Sequence, residues 1–182
     1  ISKEIGNKSI DYLIVNHAEP DHSSLISLLL NIYPGILIVA TPKAIPILKG
    51  FYSLTEDDVL AVRDGDRLNL GSVDLTFYHT PMVHWPEVMV TYEQSEKILF
   101  SADGFGKFGA LSHDEEWACE ARRYYFNICG KYGAQVQALL KKAATLEIEQ
   151  ICPLHGPILS ENLGYYIGLY DTWSKYEPEA QG

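Results

Sequence analysis

The chain has 182 residues, of which 47% are hydrophobic and 21% charged, and this length favours a single domain with a substantial core. Its formal net charge of −10 argues against a nucleic-acid partner, because nucleic acids attract Lys- and Arg-rich surfaces. The sequence has no apolar run long enough to span a membrane and no basic leader before an apolar core. Its three cysteines, Cys119, Cys129 and Cys152, are widely spaced. We therefore expect a cytoplasmic protein with buried, reduced thiols.

The first quarter of the sequence alternates predicted strands and helices. Ile10–Asn16 is an apolar run typical of a buried strand. Apolar residues then recur at helical spacing, namely Leu25, Leu28, Leu29 and Ile32, and Pro34-Gly35 ends the predicted helix. Ile36–Ala40 predicts a second strand, and Pro42 suits the first turn of the helix that follows it.

The middle of the sequence is predicted to form antiparallel strands. From Val59 to Tyr78, short apolar stretches alternate with the turns Asp64-Gly65-Asp66 and Leu70-Gly71-Ser72. Val88–Tyr92 and Lys97–Ser101 then predict a hairpin.

The last third is predicted to be mainly helical. Helices are expected over about Asp114–Cys129, Ala134–Leu146 and Ser160–Lys175, with a strand at Gln150–Pro153. The core face of the second helix is marked by Val136, Leu139, Leu140 and Ala143. Strands followed by helices, with an antiparallel meander between them, predict an α/β fold in which two sheets pack together and helices cover them.

The densest group of potential metal ligands is His17-Ala-Glu19-Pro-Asp21-His22, directly after an apolar strand. A loop at the end of a strand can direct several side chains to one centre. Imidazole suits zinc, copper, iron and nickel, and added carboxylates favour harder ions. The alternative is a polar loop in which Asp21 and Ser23 merely begin the next helix.

Three further donors occupy the same kind of position. His84 follows the predicted strand Val73–Tyr78, and the other two, Asp103 and His155, follow the strands that begin at Ile98 and Gln150. In α/β folds, ligands bind at this edge of the sheet. We therefore expect these donors to meet the first group in one metal site.

The order His-x-Glu-x-Asp-His, followed by His, Asp and His, resembles the diiron domain of flavodiiron proteins. These form a branch of the metallo-β-lactamase superfamily, whose zinc hydrolases have His where this chain has Glu19. The resemblance extends to segments 100–106 and 123–128 and implies the αβ/βα metallo-β-lactamase sandwich. It also implies a non-haem diiron centre, with His17, Glu19 and His84 on one iron, Asp21, His22 and His155 on the other, and Asp103 between them. In some members the residue that matches His22 points away from the metal.

The resemblance further implies an oxidoreductase that reduces dioxygen to water or nitric oxide to nitrous oxide. Electrons would come from FMN in a flavodoxin-like domain, supplied by a rubredoxin-type donor. One subunit's flavin would serve its partner's irons, in a head-to-tail homodimer or tetramer. Because the family domain normally opens with several strands before the first motif, we expect residues 1–176 to be a diiron domain without its N-terminal strands. Residues 177–182 would begin the linker to the flavodoxin-like domain.

The donor chemistry agrees with iron and leaves two alternatives open. Three carboxylates and four imidazoles suit a pair of cations, and Glu19 makes the site harder than a histidine would. Iron changes its oxidation state, which zinc does not. The alternatives are a dinuclear zinc hydrolase, in which the metals would lower the pKa of bound water to about 7, and a non-catalytic remnant.

Other polar and aromatic residues receive no ligand role. His79 is expected to be structural or to orient a ligand through a hydrogen bond. His113 lies in a predicted capping box, Ser112–Glu115, and is given no metal role. Phe105, Tyr124 and Tyr125 either line the pocket or belong to the core.

Overall fold

Two β-sheets organise the fold in a computed structural model that describes residues 2–6, 8–112 and 116–180. The first sheet is parallel, in the order β1 (Tyr12–Ile14), β2 (Leu37–Ala40), β3 (Val59–Ala61). The second has the order β4 (Arg67–Asn69), β5 (Asp74–His79), β6 (Met89–Glu93), β7 (Ile98–Phe100), β8 (Gln150–Cys152). Its strands are antiparallel except for the parallel pair β7 and β8.

Helices flank these strands along the chain. They are α1 (Ser2–Ile5), α2 (Pro20–Ser23), α3 (Ile26–Ile32), α4 (Ala44–Phe51), α5 (Trp117–Ile128), α6 (Gly133–Ala143) and α7 (Leu163–Ser174). No helix in the described ranges has the length and apolar character needed to cross a membrane.

The alternation of side chains along each strand divides the core into three layers. In β2, Ile38 packs with Ile26 and Leu48 of the helical layer. Val39, which points the other way, packs with Phe77 and Met89 of the second sheet. A third cluster joins β6 and β7 to α5, α6 and α7. This arrangement confirms the predicted αβ/βα sandwich of two sheets between helices.

The antiparallel prediction for the middle of the chain is confirmed only from β4 onward. β3 pairs in parallel with β2, in the first sheet, so the antiparallel assignment of Val59–Ala61 is wrong. The physical reason is the crossover through α4, which returns the chain to the same sheet in the same direction. The hairpin of β6 and β7 is confirmed. So is the core face of α6, because Val136, Leu139, Leu140 and Ala143 are all buried.

Three smaller expectations need correction. The first strand is not fully buried, because β1 lies at the edge of its sheet and Tyr12 is 36% exposed. α4 begins at Ala44, so Pro42 precedes the helix rather than forming its first turn. Cys129 is buried and Cys152 partly so, but Cys119 is exposed. The predicted capping box at Ser112–Glu115, including His113, extends outside the described residues.

One face of α3 and the adjoining groove remain apolar and accessible. Leu25, Leu28 and Ile32, at the predicted helical spacing, are 63%, 52% and 52% exposed. They adjoin a cavity of about 570 Å³ whose walls come from β1, α3 and the second sheet, with Leu13, Leu29, Leu75 and Phe100 among them. The spacing correctly predicted a helix, but most of its apolar stripe has no covering layer within the described residues.

Hydrogen bonds join the two halves of the sandwich beside the loops that carry the donor residues. Asn16, just after β1, donates to the Phe100 carbonyl at 3.2 Å and accepts from the Thr91 hydroxyl at 2.6 Å. Thr41, just after β2, donates through Oγ1 to the Glu87 carbonyl at 2.8 Å and accepts from the Ala44 N–H at 3.1 Å. Both side chains therefore fix the position of one sheet relative to the other.

Replacing Thr41 by Val should lower the free energy of unfolding by about 1–3 kcal/mol, because it leaves buried backbone groups with fewer partners at nearly unchanged volume. Thr145→Val is the matched control, because its hydroxyl donates to the Lys142 carbonyl on the exposed surface. Urea unfolding monitored by circular dichroism measures both variants. Equal midpoints for the two would contradict the role given to Thr41.

Candidate metal centre

The seven candidate donors come from four loops that meet at one end of the sandwich. His17 and Glu19 lie between β1 and α2, and Asp21 and His22 lie within α2. The remaining three, His84, Asp103 and His155, follow β5, β7 and β8. The structure thus brings together residues as much as 138 positions apart in the chain, counted from His17 to His155.

The first group of donor atoms is compact. His17 Nε2 lies 3.1 Å from Glu19 Oε2 and 3.2 Å from His84 Nε2, and the last two atoms are 3.0 Å apart. Asp103 Oδ2 lies 2.9 Å from His84 Nε2 and 3.7 Å from His17 Nε2. Four donor atoms therefore face one point.

The second group lies on the other side of Asp103. His155 Nε2 is 3.1 Å from Asp21 Oδ2, and His22 Nε2 is 3.5 Å from the same oxygen. Asp103 Oδ1 lies 3.0 Å from His22 Nε2 and 3.8 Å from His155 Nε2. Each oxygen of Asp103 thus faces a different group of donors, and His22 points into the site rather than away from it.

The spacing of these atoms suits metal ions. Bonds of about 2.0–2.2 Å to a metal place neighbouring ligand atoms roughly 3.0–3.5 Å apart, and most of the separations above fall near this range. His22 Nε2 and Asp103 Oδ1 are buried, and although they lie 3.0 Å apart, neither has a partner in hydrogen-bonding geometry among the described residues. Buried polar atoms without partners are costly, and cations would satisfy both.

The loop at Asp103 is fixed mainly by backbone contacts. Gly104 N–H donates to the Ser101 carbonyl at 3.0 Å, and Ser101 Oγ donates to the Gly104 carbonyl at 2.6 Å. Phe105 N–H donates to the buried Tyr170 hydroxyl at 2.7 Å. Ala102 and Phe105 adopt φ values of 52° and 65°, a left-handed conformation that is uncommon for such residues and typical of functional loops.

Glycine is required at position 106 in this loop. A Cβ atom there would lie 2.8 Å from Cε1 of Tyr124 and 3.0 Å from the Asp103 carbonyl oxygen. The loop therefore packs closely enough on α5 to hold Tyr124 beside the donors.

Glu87 is a site residue that the sequence analysis missed. Its Oε1 accepts hydrogen bonds from His17 Nδ1 at 2.7 Å and from the Ala18 N–H at 3.1 Å. Such an outer carboxylate fixes the ring orientation and tautomer of a metal-binding histidine. Burial alone would raise the pKa of Glu87, but these hydrogen bonds outweigh it and lower the pKa. The available signal in the sequence was a lone carboxylate two residues before the wholly buried strand β6.

The imidazoles and carboxylates shift one another's protonation. Burial disfavours the charged form of Asp103, yet the imidazoles of His22 and His84 outweigh this and hold its pKa well below the ordinary value. Burial lowers the pKa of both His22 and His84, but the Asp103 carboxylate outweighs it and raises them. Metal ions must displace these imidazole protons, so metal affinity should rise with pH.

A cavity of about 310 Å³ opens onto the donors. Its walls include Glu19, Asp21, His84, Asp103, Lys107, Phe108, Tyr124 and His155. The Tyr124 ring centroid lies 5.6 Å from that of His155. Burial raises the pKa of the Tyr124 hydroxyl, and the nearby Asp103 carboxylate raises it further, so this phenol stays protonated.

Two of the aromatic residues and His79 lie outside the cavity at the donors. Phe105 and Tyr125 belong to the core rather than to the cavity wall. The His79 ring hydrogen-bonds the Val62 carbonyl at 3.0 Å, which agrees with a structural role.

Comparisons with known proteins give the same family. The chain is 35% identical over 184 residues to the anaerobic nitric oxide reductase flavorubredoxin of Aliivibrio fischeri, covering 96% of this chain and 37% of that one. The flavodiiron protein of Giardia intestinalis superimposes with a TM-score of 0.85 at 35% identity, over 92% of this chain and 43% of that one. Rubredoxin oxygen:oxidoreductase from Desulfovibrio gigas superimposes with a TM-score of 0.86 at 29% identity, over 93% of this chain and 45% of that one. The chain spans about a third to a half of the curated relatives that it matches. A family model described as ODP family beta lactamase matches residues 1–156. The chain therefore belongs to the ODP family of β-lactamase-like domains.

Proposed function

We propose that this chain is the catalytic domain of a flavodiiron oxidoreductase that reduces dioxygen to water, nitric oxide to nitrous oxide, or both. The observation that carries the proposal is Asp103, whose two carboxylate oxygens face two separate donor groups. A carboxylate in this position can hold two cations side by side. Relatives named for nitric oxide reduction and for oxygen reduction support this function over zinc-dependent hydrolysis.

The donor set fits a pair of irons. We assign His17, Glu19 and His84 to one iron, Asp21, His22 and His155 to the other, and Asp103 to both. The carboxylate of Glu19 lies within 3.1 Å of both histidine nitrogens of its group, and it makes that group anionic and hard, which favours iron over zinc. Bound irons would supply two adjacent centres that each exchange one electron.

The protein's own residues prepare the site for that chemistry. Glu87 accepts a hydrogen bond from the Nδ1–H group of His17, which leaves Nε2 free to bind a metal. The 310 Å³ cavity gives small gases access, and Tyr124 closes part of it with a protonated phenol beside His155. The site therefore combines rigid donors with a small, partly aromatic pocket.

The remainder of the proposal concerns the longer protein. We assign residues 1–176 to the diiron domain and residues 177–182 to the start of a linker. An FMN-binding flavodoxin-like domain follows the linker, and a rubredoxin-type carrier supplies its electrons in the cytoplasm. A head-to-tail homodimer or tetramer brings one subunit's flavin to its partner's irons. Relatives two to three times as long support this, and the open groove beside α3 supports further strands of the same domain.

Asp103→Ala should abolish binding of the metal pair, because it removes the shared donor and leaves two cations in unscreened repulsion. Loss of an outer partner already costs about 10–100-fold in metal affinity, so loss of a shared ligand should cost more. Asp171→Ala is the control, since this carboxylate contacts Gln137 and Lys175 on the surface. Metal analysis after dialysis measures both variants, and two metals retained in Asp103→Ala would refute the shared role.

Glu19→His should shift the metal preference toward zinc, because it restores the ligand set of the zinc hydrolases. In anaerobic competition between equal ferrous and zinc ions, we expect the bound zinc-to-iron ratio to rise about tenfold, or about 1.4 kcal/mol. Glu161→His makes the same change at an exposed glutamate and should leave the ratio unaltered. A ratio in Glu19→His equal to that of the parent would show that donor hardness does not select the metal.

The 182 residues alone should not sustain turnover with reduced rubredoxin as donor. Reduction of dioxygen to water takes four electrons, twice what a pair of irons changing between ferrous and ferric states can hold. The sequence has no Gly-rich phosphate loop between a strand and a helix that would mark a flavin site. An oxygen or nitric oxide electrode assay should show turnover only for the longer protein with its FMN domain. Sustained turnover by the 182 residues without added flavoprotein would refute the proposed electron path.

A further inference from the structure

Lys107 presents a buried positive charge beside the donor cluster that the proposed function does not use. The residue is 6% exposed and lines the cavity together with Glu19, Asp21, His84 and Asp103. Among the described residues, its Nζ atom has no hydrogen-bond partner and no carboxylate pairs with it. An ammonium group without a partner is among the most costly groups to bury.

The stem of Lys107 is held firmly in this position. Its backbone N–H donates to the His155 carbonyl at 3.4 Å. A Cβ atom at Gly156 would lie 3.1 Å from Cγ of Lys107, so the side chain packs directly on the backbone at Gly156. Gly156 has a φ of 98°, a conformation that glycine adopts without strain. These contacts fix the first part of the side chain beside the cavity, and its flexible end carries the ammonium group.

The charge balance of the loaded cavity favours an anion. Two divalent cations would balance the four carboxylates of the site, Glu19, Asp21, Asp103 and the outer Glu87. The charge of Lys107 then leaves one positive charge in excess. Ferric ions would widen the excess. A small cavity with excess positive charge attracts anionic ligands.

Resting on the proposed function, we propose that Lys107 is a positioning residue that binds small monovalent anions, of the class of azide or nitrite, in the cavity beside the metal pair. Its ammonium group supplies a charge-assisted hydrogen bond to the ligand. Each electron delivered to a gas in this cavity would add negative charge to it, and a nearby cation would stabilise that charge. A neutral ligand gains little from the same contact.

The test compares Lys107→Met with Lys141→Met in the full-length, iron-loaded protein. Each variant removes one positive charge, but Lys141 is exposed on α6. Azide is titrated into the oxidised protein and followed by its absorption band with ferric iron. Nitric oxide, which is neutral, is titrated into the reduced protein, and iron content is measured for every sample.

We expect Lys107→Met to hold as much iron as the parent and to raise the Kd for azide about tenfold or more, since hydrogen bonds to charged groups are the stronger ones. Its affinity for nitric oxide and the azide affinity of Lys141→Met should stay unchanged. Parental azide affinity in Lys107→Met would overturn the inference alone. Loss of iron, or equal weakening of azide and nitric oxide, would assign Lys107 to the structure of the site and also overturn it. A parent protein that holds no iron would overturn the proposed function and this inference together.

Discussion

The buried carboxylate of Asp103 is the interaction on which the site depends. It is 2% exposed, and its two oxygens lie within 3.0 Å of histidines from different donor groups, His84 and His22. A charge this deep is tolerable only where opposite charges surround it. The left-handed residues on either side and the hydrogen bond from Phe105 to Tyr170 hold its loop in place. Backbone strain and buried polar contacts thus hold the Asp103 carboxylate in its position.

The two sheets contribute different parts of the site, so their relative position decides whether the donors meet. The first sheet supplies the loop that begins at His17, and the second supplies the other three donors. Asn16 and Thr41 connect these halves through hydrogen bonds, of which the Thr41 bond is buried. Glu87 completes the connection, because it lies in the loop before β6 of the second sheet and orients His17, in the loop after β1 of the first. The same contacts therefore stabilise the sandwich and position the candidate metal ligands.

Two of the cavities formed by the described residues have opposite character. The one at the donors is small and charged, with carboxylates, imidazoles and the unpaired ammonium group of Lys107 in its walls. The one between the sheets is larger and mainly apolar, and it continues into the exposed face of α3 at Leu25 and Leu28. Charge at the first suits ions and small polar ligands, whereas apolar surface of this extent at the second normally contacts further protein.

The sequence by itself determined the local features and marked the candidate donors. Apolar periodicity predicted the α6 core face and the hairpin of β6 and β7, and the loops after strands marked His17 and Asp103, because these signals depend only on neighbouring residues. Only the tertiary structure decided which sheet β3 joins, since strand pairing depends on contacts between distant segments. It likewise decided that Glu87 supports His17, across 70 positions of sequence. A partner so distant leaves no periodic signal, because the contact exists only once the two sheets have packed together.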